Sequence, residues 1–207
     1  MSAAERENLL GLPDTQEELI RHYTFSEGDL SIIRQRRSPT NRLGFAVQLC
    51  YMRYPGVMLT VDEDPYPPLM RLVAAQLKVP LEAWADYGQR AETRREHLLE
   101  LQSVFGFQPF TTQHYRPCVY SLDELAWQTD KGIVLATTLV DSLRRKSVLL
   151  PTPGVIERIC AEAVTRGNRR IYDALAEPLS DTHCRRLDDL LNGLDPTVVS
   201  QAAIWYQ

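Results

Sequence analysis

The amino-acid sequence predicts an all-α protein built from about ten helices. Apolar residues recur at three- and four-residue intervals along most of the 207-residue chain, which is the spacing of one helix face. Residues that cap helices stand before these stretches, and glycine or proline follows several of them. A chain of this length forms one large domain or two small ones, and it can bury a proper core.

Capping residues predict where the first four helices begin. The four positions are Ser2, Asp14, Ser26 and Asn41. Ser2 and Glu5 also have the spacing of a capping box. The fourth helix, residues 41–54, carries apolar residues on two faces, so we expect it to be buried between neighbouring helices.

An acidic, proline-rich segment at residues 60–68 separates these helices from those that follow. Further helices are expected over residues 68–77, 93–105, 116–128, 131–146, 155–165, 169–176 and 181–191, with a short one around Trp84. The segment is the expected boundary between an N-terminal helical lobe, residues 1–64, and a second helical lobe, residues 65–207. The helices on either side of Gly106 suit a helix-turn-helix pair, so helix-turn-helix-like DNA-binding lobes are expected.

A cluster of positive charge interrupts an otherwise acidic chain. The formal net charge is −4, yet residues 30–61 contain no acid. Five arginines fall within that stretch: Arg34, Arg36, Arg37, Arg42 and Arg53. A mobile, arginine-rich loop ahead of a rigid, buried helix suits contacts with a polyanion such as a nucleic-acid backbone. The alternative interpretation is a solvated connection between two helices.

The fourth helix carries three candidate contacts with such a polyanion. Arg42 and Arg53 fall within about 20° of each other around the helix axis, so they suit one shared ligand. Asn41 has an amide that can pair with the edge of an adenine in the major groove. The same side chain also suits the N-cap of this helix, and both roles are kept as hypotheses.

Arg94 and Arg95 form a second candidate contact. They lie in the first turn of an expected helix, where Thr93 and Glu96 have the spacing of a capping box. Positive side chains at that end oppose the helix dipole, and a bound phosphate would compensate them. Neighbouring glutamates offer the simpler compensation.

The basic residues that end the helix over residues 131–146 have a different interpretation. Arg144, Arg145 and Lys146 lie in its last turn, where positive charge stabilises the helix dipole. Helix stability is therefore the role expected of these three side chains.

Common catalytic and metal-binding motifs are missing from the sequence. It has no glycine-rich phosphate loop, no H-E-x-x-H and no G-x-S-x-G. Four cysteines and four histidines are scattered without a C-x-x-C pair, so neither catalysis nor a metal or other cofactor is expected. No apolar run approaches the roughly 20 residues of a membrane-spanning helix, and the N-terminus lacks a signal segment. These features predict a cytoplasmic protein with reduced thiols.

Several blocks of the sequence resemble one known family. The blocks are RHYTFSEGDLSIIRQRR, NRLGFAVQLCYMRYPG, AETRREHLLELQSVFGF, TDKGIVLATTLVDSLRRK and LPTPGVIERICAEAVTR. In this order they resemble the N-terminal region of class II (Tn-three type) replicative transposases, and the resemblance covers residues 4–191. Two departures are Ser38, where the family commonly has glycine, and Phe25, where it commonly has leucine.

The resemblance implies a helical region that binds the terminal inverted repeats of a transposon during DNA transposition. In that family the carboxylate triad that cuts and joins DNA lies in a much later domain. The chain is therefore expected to bind double-stranded DNA without catalysing a reaction, in the bacterial cytoplasm and associated with the nucleoid. Further expected partners are the rest of a transposase or a second copy of the chain. The alternative function is a protein-interaction or regulatory module that reads no bases directly.

Overall fold

The computed structural model describes residues 2–60, 63–87 and 91–193. Within these ranges it contains eleven α-helices, one 3-10 helix and no β-strand, so the predicted all-α class is confirmed. The helices are α1 (Ala3–Leu10), α2 (Gln16–Tyr23), α3 (Glu27–Arg34), α4 (Pro39–Arg53), α5 (Pro67–Leu77), the 3-10 helix (Leu81–Trp84), α6 (Ala91–Phe105), α7 (Thr112–Ser121), α8 (Asp123–Gln128), α9 (Gly132–Arg145), α10 (Pro153–Ala176) and α11 (Asp181–Gly193). No helix in the described ranges has both the length and the apolar character that crossing a bilayer requires.

Two of the expected helix starts are confirmed, and one is displaced by a residue. The Ser2 and Ser26 hydroxyls each accept a hydrogen bond from the backbone N–H three residues on. The acidic side chain at that later position accepts the backbone N–H of the serine, which completes a capping box. The cap of α2 is Thr15 rather than Asp14, because the Thr15 hydroxyl accepts the backbone N–H of Glu18 at 3.3 Å.

Two expected boundaries in the second half of the chain are wrong. The single helix expected over residues 116–128 is divided at Leu122 into α7 and α8. The two helices expected over residues 155–165 and 169–176 are one continuous helix, α10. Gly167 lies inside α10, facing α8. A Cβ at this position would come within 2.8 Å of the Ala126 carbonyl oxygen. Glycine at this position lets α10 cross α8 closely.

The first of two hydrophobic cores surrounds α4. Residues 43–52 of this helix are all buried, as its two apolar faces predicted. Helices α2, α3, α5 and α6 and the 3-10 helix pack around it. This core includes Met70 and Leu101 as well as α4, so residues on both sides of position 64 contribute to it. The division into lobes at residues 64 and 65 stays a prediction, and residues 61 and 62 of the proline-rich segment lie outside the described ranges.

The second core is a bundle in which α10 packs against α7, α8 and α9. Helix α6, before Gly106, packs on α4 of the first core, whereas α7 packs on α10. The helices on either side of this glycine therefore have different main neighbours, and the helix-turn-helix pair stays a prediction.

The connection from α9 to α10 joins the two cores. The backbone N–H groups of Leu149 and Leu150 donate to the carbonyl oxygens of Gln108 and Gly56, at 2.8 and 2.7 Å. Arg144, at the end of α9, donates from Nε to the Pro55 carbonyl at 2.8 Å. Leu149 itself belongs to the first core, so this connection contributes to both.

Candidate nucleic-acid interface

The basic loop, residues 34–38, comprises the last residue of α3 and the connection to α4, and it is anchored by Arg36. The Arg36 guanidinium forms a two-pronged ion pair with Glu100 of α6, with Nη2 at 2.7 Å from Oε1 and Nη1 bonded to Oε2. It also lies over the Phe45 ring, 5.0 Å from the centroid. Bidentate arginine–carboxylate pairs are geometrically specific, so this contact fixes the position of the loop relative to α6.

The other end of the loop is fixed by the start of α4. The Ser38 hydroxyl accepts the backbone N–H of Asn41 at 3.1 Å, and Pro39 occupies the first turn. The N-cap is therefore Ser38, and the expectation that Asn41 caps this helix is wrong. Arg42 donates from Nε to the Arg36 carbonyl at 2.8 Å, which closes the loop against α4. The loop expected to be mobile is thus held by side chains on both sides.

Two arginines of the basic loop point away from these contacts. The Arg34 and Arg37 side chains are exposed, and neither guanidinium forms a hydrogen bond or an ion pair with a described residue. Asn41, in the first turn of α4, is half-buried. Its backbone N–H donates to the Ser38 cap, and its side-chain amide takes no part in capping. These three side chains are the predicted contacts, in and beside the basic loop, that no internal side-chain contact occupies.

Arg53 is committed to an internal ion pair. Its Nη2 and Nη1 lie 2.6 and 3.0 Å from the two carboxylate oxygens of Asp29, and the guanidinium covers the Phe105 ring at 5.3 Å. Burial acts to raise the pKa of the Asp29 carboxyl, but hydrogen bonds from Arg53 and Ser26 outweigh it and the pKa is lowered. Arg53 therefore holds α4 to α3, while Arg42 bonds to the basic loop.

The structure separates Arg94 from Arg95. Helix α6 begins at Ala91, so Thr93 lies within the helix and the capping box expected there is wrong. Arg94 is buried, donates from Nη2 to the Thr60 carbonyl at 3.2 Å and lies 5.6 Å from the Tyr87 ring centroid. The Arg95 side chain is exposed, and its guanidinium forms no hydrogen bond or ion pair with the described residues.

A buried tyrosine–histidine pair supports α6 beneath these arginines. The Tyr87 hydroxyl and the His97 Nδ1 lie 3.1 Å apart, and the two rings stack. Burial, followed by the nearby Arg36 charge, lowers the pKa of the His97 imidazole. Gly44 of α4 makes room for this pair, because a Cβ there would lie 2.1 Å from the Tyr87 ring. The pair thus positions α6, and with it Glu100, against α4.

Sequence reasoning missed Glu100, the carboxylate that anchors the basic loop. It lies 64 residues from Arg36 in the chain, and its neighbours carry only an ordinary helical pattern. Asp29 follows the predicted helix start at Ser26, and nothing in that position indicates its second role as the partner of Arg53. No local pattern signals either long-range pairing.

Metal and thiol chemistry has little support in the described part of the chain. Those residues bring together no group of three histidine, cysteine, aspartate or glutamate side chains. Cys50, Cys118 and Cys160 are buried free thiols, and Cys184 is an exposed one. Burial raises the pKa of the Cys160 thiol to about 11, which disfavours the reactive thiolate.

Comparison with known proteins connects this arrangement to transposases. A family model described as a domain of unknown function, DUF4158, matches residues 1–163. The transposase for transposon Tn21 of Escherichia coli is 68% identical over 195 residues, which cover 94% of this chain and 20% of that protein. The transposase for transposon Tn3926 of Escherichia coli is 64% identical over 203 residues, covering 98% of the chain and 20% of that protein.

A third relative extends the comparison beyond one genus. The transposase for transposon Tn501 of Pseudomonas aeruginosa is 51% identical over 191 residues, covering 92% of the chain and 19% of that protein. The resemblance to class II transposases that the sequence blocks indicated is confirmed. The chain spans about one fifth of the length of each of these relatives.

Proposed function

The chain belongs to the DUF4158 family, and on this premise we propose that it binds the terminal inverted repeats of a transposon. It acts as the N-terminal part of a Tn-three type transposase, in the bacterial cytoplasm and at the nucleoid. Strand cutting and joining are carried out by another part of the parent protein. This chain contributes recognition of double-stranded DNA and needs no metal or other cofactor for it.

The observation that carries this proposal is the anchored basic loop. Arg36 and Arg42 hold the loop in one position, while Arg34 and Arg37 extend from it into solvent. Arginines on a fixed loop lose less conformational freedom on binding than arginines on a mobile one. The chain as a whole is acidic, so this local positive surface opposes the general charge and suits backbone phosphates.

The predicted contact residues then divide by role. Arg34, Arg37 and Arg95 are the proposed phosphate contacts, because their side chains are exposed and uncommitted among the described residues. Arg36, Arg42, Arg53 and Arg94 position the loop and the neighbouring helices through the internal contacts described above. Asn41 is the proposed base contact, since Ser38 performs the capping that was the competing role.

A direct binding measurement tests this proposal. The probes are a duplex carrying the terminal inverted repeat of transposon Tn21 and a shuffled duplex of equal composition, in buffer containing a chelator. We expect tighter binding of the inverted repeat, and affinity that falls steeply with salt. Arg34→Ala and Arg37→Ala should each weaken binding to both duplexes and reduce the salt slope by about 0.9.

The matched control is Arg71→Ala, which removes an exposed arginine from α5, away from the basic loop. It should leave affinity and salt slope close to those of the unchanged chain. Equal binding of the two duplexes, or equal effects of Arg37→Ala and Arg71→Ala, would contradict the proposal.

One observation favours the alternative, a protein-interaction module. The end of α10, the connection that follows it and residues 181–192 of α11 are exposed, and they carry large apolar side chains. These are Tyr172, Leu175, Leu179, Leu187, Leu190 and Leu191. Leu187, Leu190 and Leu191 share one face of α11, and exposed apolar faces of this kind often mark docking surfaces. Salt-tolerant self-association or binding to the rest of a transposase, without preference among duplexes, would favour this alternative.

A further inference from the structure

A positively charged cleft lies where α2, α4 and α9 end. Its volume is about 600 Å³, and it is lined by His22, Arg53, Tyr54, Asp141, Arg144 and Arg145. The sequence assigned Arg144 and Arg145 only to stabilisation of the α9 dipole. In the structure Arg144 also bonds outside its own helix, to the Pro55 carbonyl, and both arginines line this cleft.

Aromatic stacking makes the wall of the cleft rigid. The Tyr54 ring stacks on the His22 ring with centroids 4.3 Å apart, and the Arg144 guanidinium lies 4.4 Å from the Tyr54 centroid. Arg144 also donates to the Pro55 carbonyl at 2.8 Å and lies 3.6 Å from the Asp141 carboxylate. The Tyr23 hydroxyl donates to the Tyr54 carbonyl at 3.0 Å, which fixes the tyrosine backbone.

The charges around the cleft leave an excess of positive charge. Arg53 is paired with Asp29, and Arg144 is paired with Asp141. Arg145 is exposed, and its Nε donates to the Asp141 backbone carbonyl at 3.3 Å. The two terminal nitrogens of Arg145 form no hydrogen bond or ion pair with the described residues. They are therefore the donors that the cleft offers to an incoming anion.

We propose that this cleft binds a phosphate group, which in the DNA-binding function proposed above is a backbone phosphate of the duplex. This assignment rests on that function. Arg145 supplies the direct contact and the excess positive charge, since Arg53 and Arg144 are each paired with a carboxylate. Phosphate suits the site because guanidinium groups pair well with its oxygens.

The position of the cleft suits a duplex that also contacts the basic loop. Arg42, beside that loop, and Arg53, in the cleft, lie on one strip of α4 at a separation of about 16 Å along its axis. At about 3.4 Å per nucleotide of one strand, this distance corresponds to about five nucleotides. One duplex can therefore contact the loop and the cleft together.

Two measurements on the whole chain test the site. In the first, the ring resonances of His22 are followed by NMR during titration with inorganic phosphate and then with duplex DNA, using His22→Gln for assignment. The groups facing this imidazole are Glu18, Arg21, Tyr54 and Arg144, and a bound phosphate would add negative charge to them. We expect saturable shifts of the His22 resonances and a raised pKa with either probe.

In the second measurement, Arg145→Gln is compared with Arg71→Gln in duplex binding. Arg145→Gln should weaken binding about 3- to 5-fold, the size of effect measured for exposed ion pairs, and lower the salt slope by about 0.9. It should also abolish the His22 shifts, and its thermal midpoint should stay that of the unchanged chain. Arg71→Gln should change none of these.

The outcomes separate this site from the proposed function. Duplex binding by the Arg145→Gln variant at unchanged affinity, with His22 unaffected by DNA, would overturn the cleft assignment and leave the function standing. Saturable phosphate shifts without any duplex binding would remove the function and, with it, the backbone phosphate as the ligand. If neither phosphate nor duplex DNA shifts the His22 resonances, the cleft is not a phosphate site.

Discussion

Arg36 and Glu100 lie 64 residues apart in the chain, yet their side chains form the two-pronged ion pair that holds the basic loop against α6. The pair is largely shielded, with 18% of the arginine side chain and 33% of the glutamate side chain exposed. A half-buried bidentate pair is worth more than a surface one, because water screens it less. The loop that carries Arg34 and Arg37 is therefore attached to α6 by an ion pair that should contribute to the stability of the fold.

Removing the carboxylate of this pair should destabilise the fold. Glu100→Gln leaves Arg36 as a half-buried cation without its counter-ion, and we expect the free energy of unfolding to fall by about 2 kcal/mol. Urea unfolding followed by circular dichroism measures this change. Glu96→Gln, an exposed change on the same helix, is the control and should stay within about 0.5 kcal/mol. Equal effects of the two substitutions would show that the ion pair adds no stability.

The assignment of Ser38 as the cap of α4 can be tested by alanine substitution. Ser38→Ala removes the acceptor for the Asn41 N–H and should cost about 1 kcal/mol of stability. Asn41→Ala removes no capping bond, so its thermal midpoint should stay close to that of the unchanged chain. If Asn41 contacts a base, the same variant should lose discrimination between inverted repeat and shuffled DNA. A larger stability loss for Asn41→Ala than for Ser38→Ala would restore the capping role to Asn41.

Gly44 should tolerate no side chain. A Cβ at this position would lie 2.1 Å from the Tyr87 ring, so Gly44→Ala should destabilise the chain by about 2 kcal/mol or more through overpacking. Gly154→Ala is the control, since a Cβ there has no atom within 4 Å, and it should be neutral or slightly stabilising. Thermal unfolding of both variants gives the comparison. Combining Gly44→Ala with Tyr87→Leu should recover part of the loss, and no recovery would place the clash elsewhere.

His97 should make stability depend on pH on the acid side. Burial first, and then Arg36, lower the pKa of its imidazole, with Glu100 opposing, and the ring bonds to Tyr87. The unfolded chain therefore takes up a proton more readily as pH falls below about 6.5. The stability that depends on the neutral ring is present above this pH and is lost as pH falls toward the folded value.

Urea midpoints at about pH 7.5 and about pH 5.5 measure this dependence. The urea midpoint of the unchanged chain should be lower at the acid pH than at the higher one. The midpoint of His97→Gln should decrease by less. His22, whose pKa is also lowered, is present in both proteins and keeps part of the dependence. The same fall in both proteins would mean that His97 titrates equally in the folded and unfolded states.

Local signals in the sequence predicted the helical class and several helix starts, because the physics of caps and periodicity acts over a few residues. The helix starts at Ser2 and Ser26 are confirmed for this reason. Two helices were expected over residues 155–165 and 169–176, but α10 is continuous, and its close crossing over Ala126 explains the glycine at position 167. Periodicity contains no information about such a crossing.

The candidate site was harder to predict than the fold. The sequence identified the arginine cluster. It could not show which arginines are already paired with a carboxylate, because those carboxylates are distant in the chain. Arg36 and Arg53 turn out to be paired with Glu100 and Asp29, whereas Arg37 is exposed. The distinction depends on long-range packing, which places a carboxylate beside one guanidinium and solvent beside another.

The connection from α9 to α10 determines how a destabilising substitution in one core affects the other. Arg144 bonds to Pro55, Leu149 is buried in the first core, and Leu150 bonds to Gly56. Residues of both cores therefore contact the same short segment. Neither core can melt without exposing that segment, and the two should unfold as one cooperative unit. A lesion in the α10 bundle, far from the basic loop, would then weaken ligand binding simply by raising the fraction of unfolded chains. Loss-of-function variants isolated at random would map across both cores, and only those with normal melting behaviour would trace the binding surface itself.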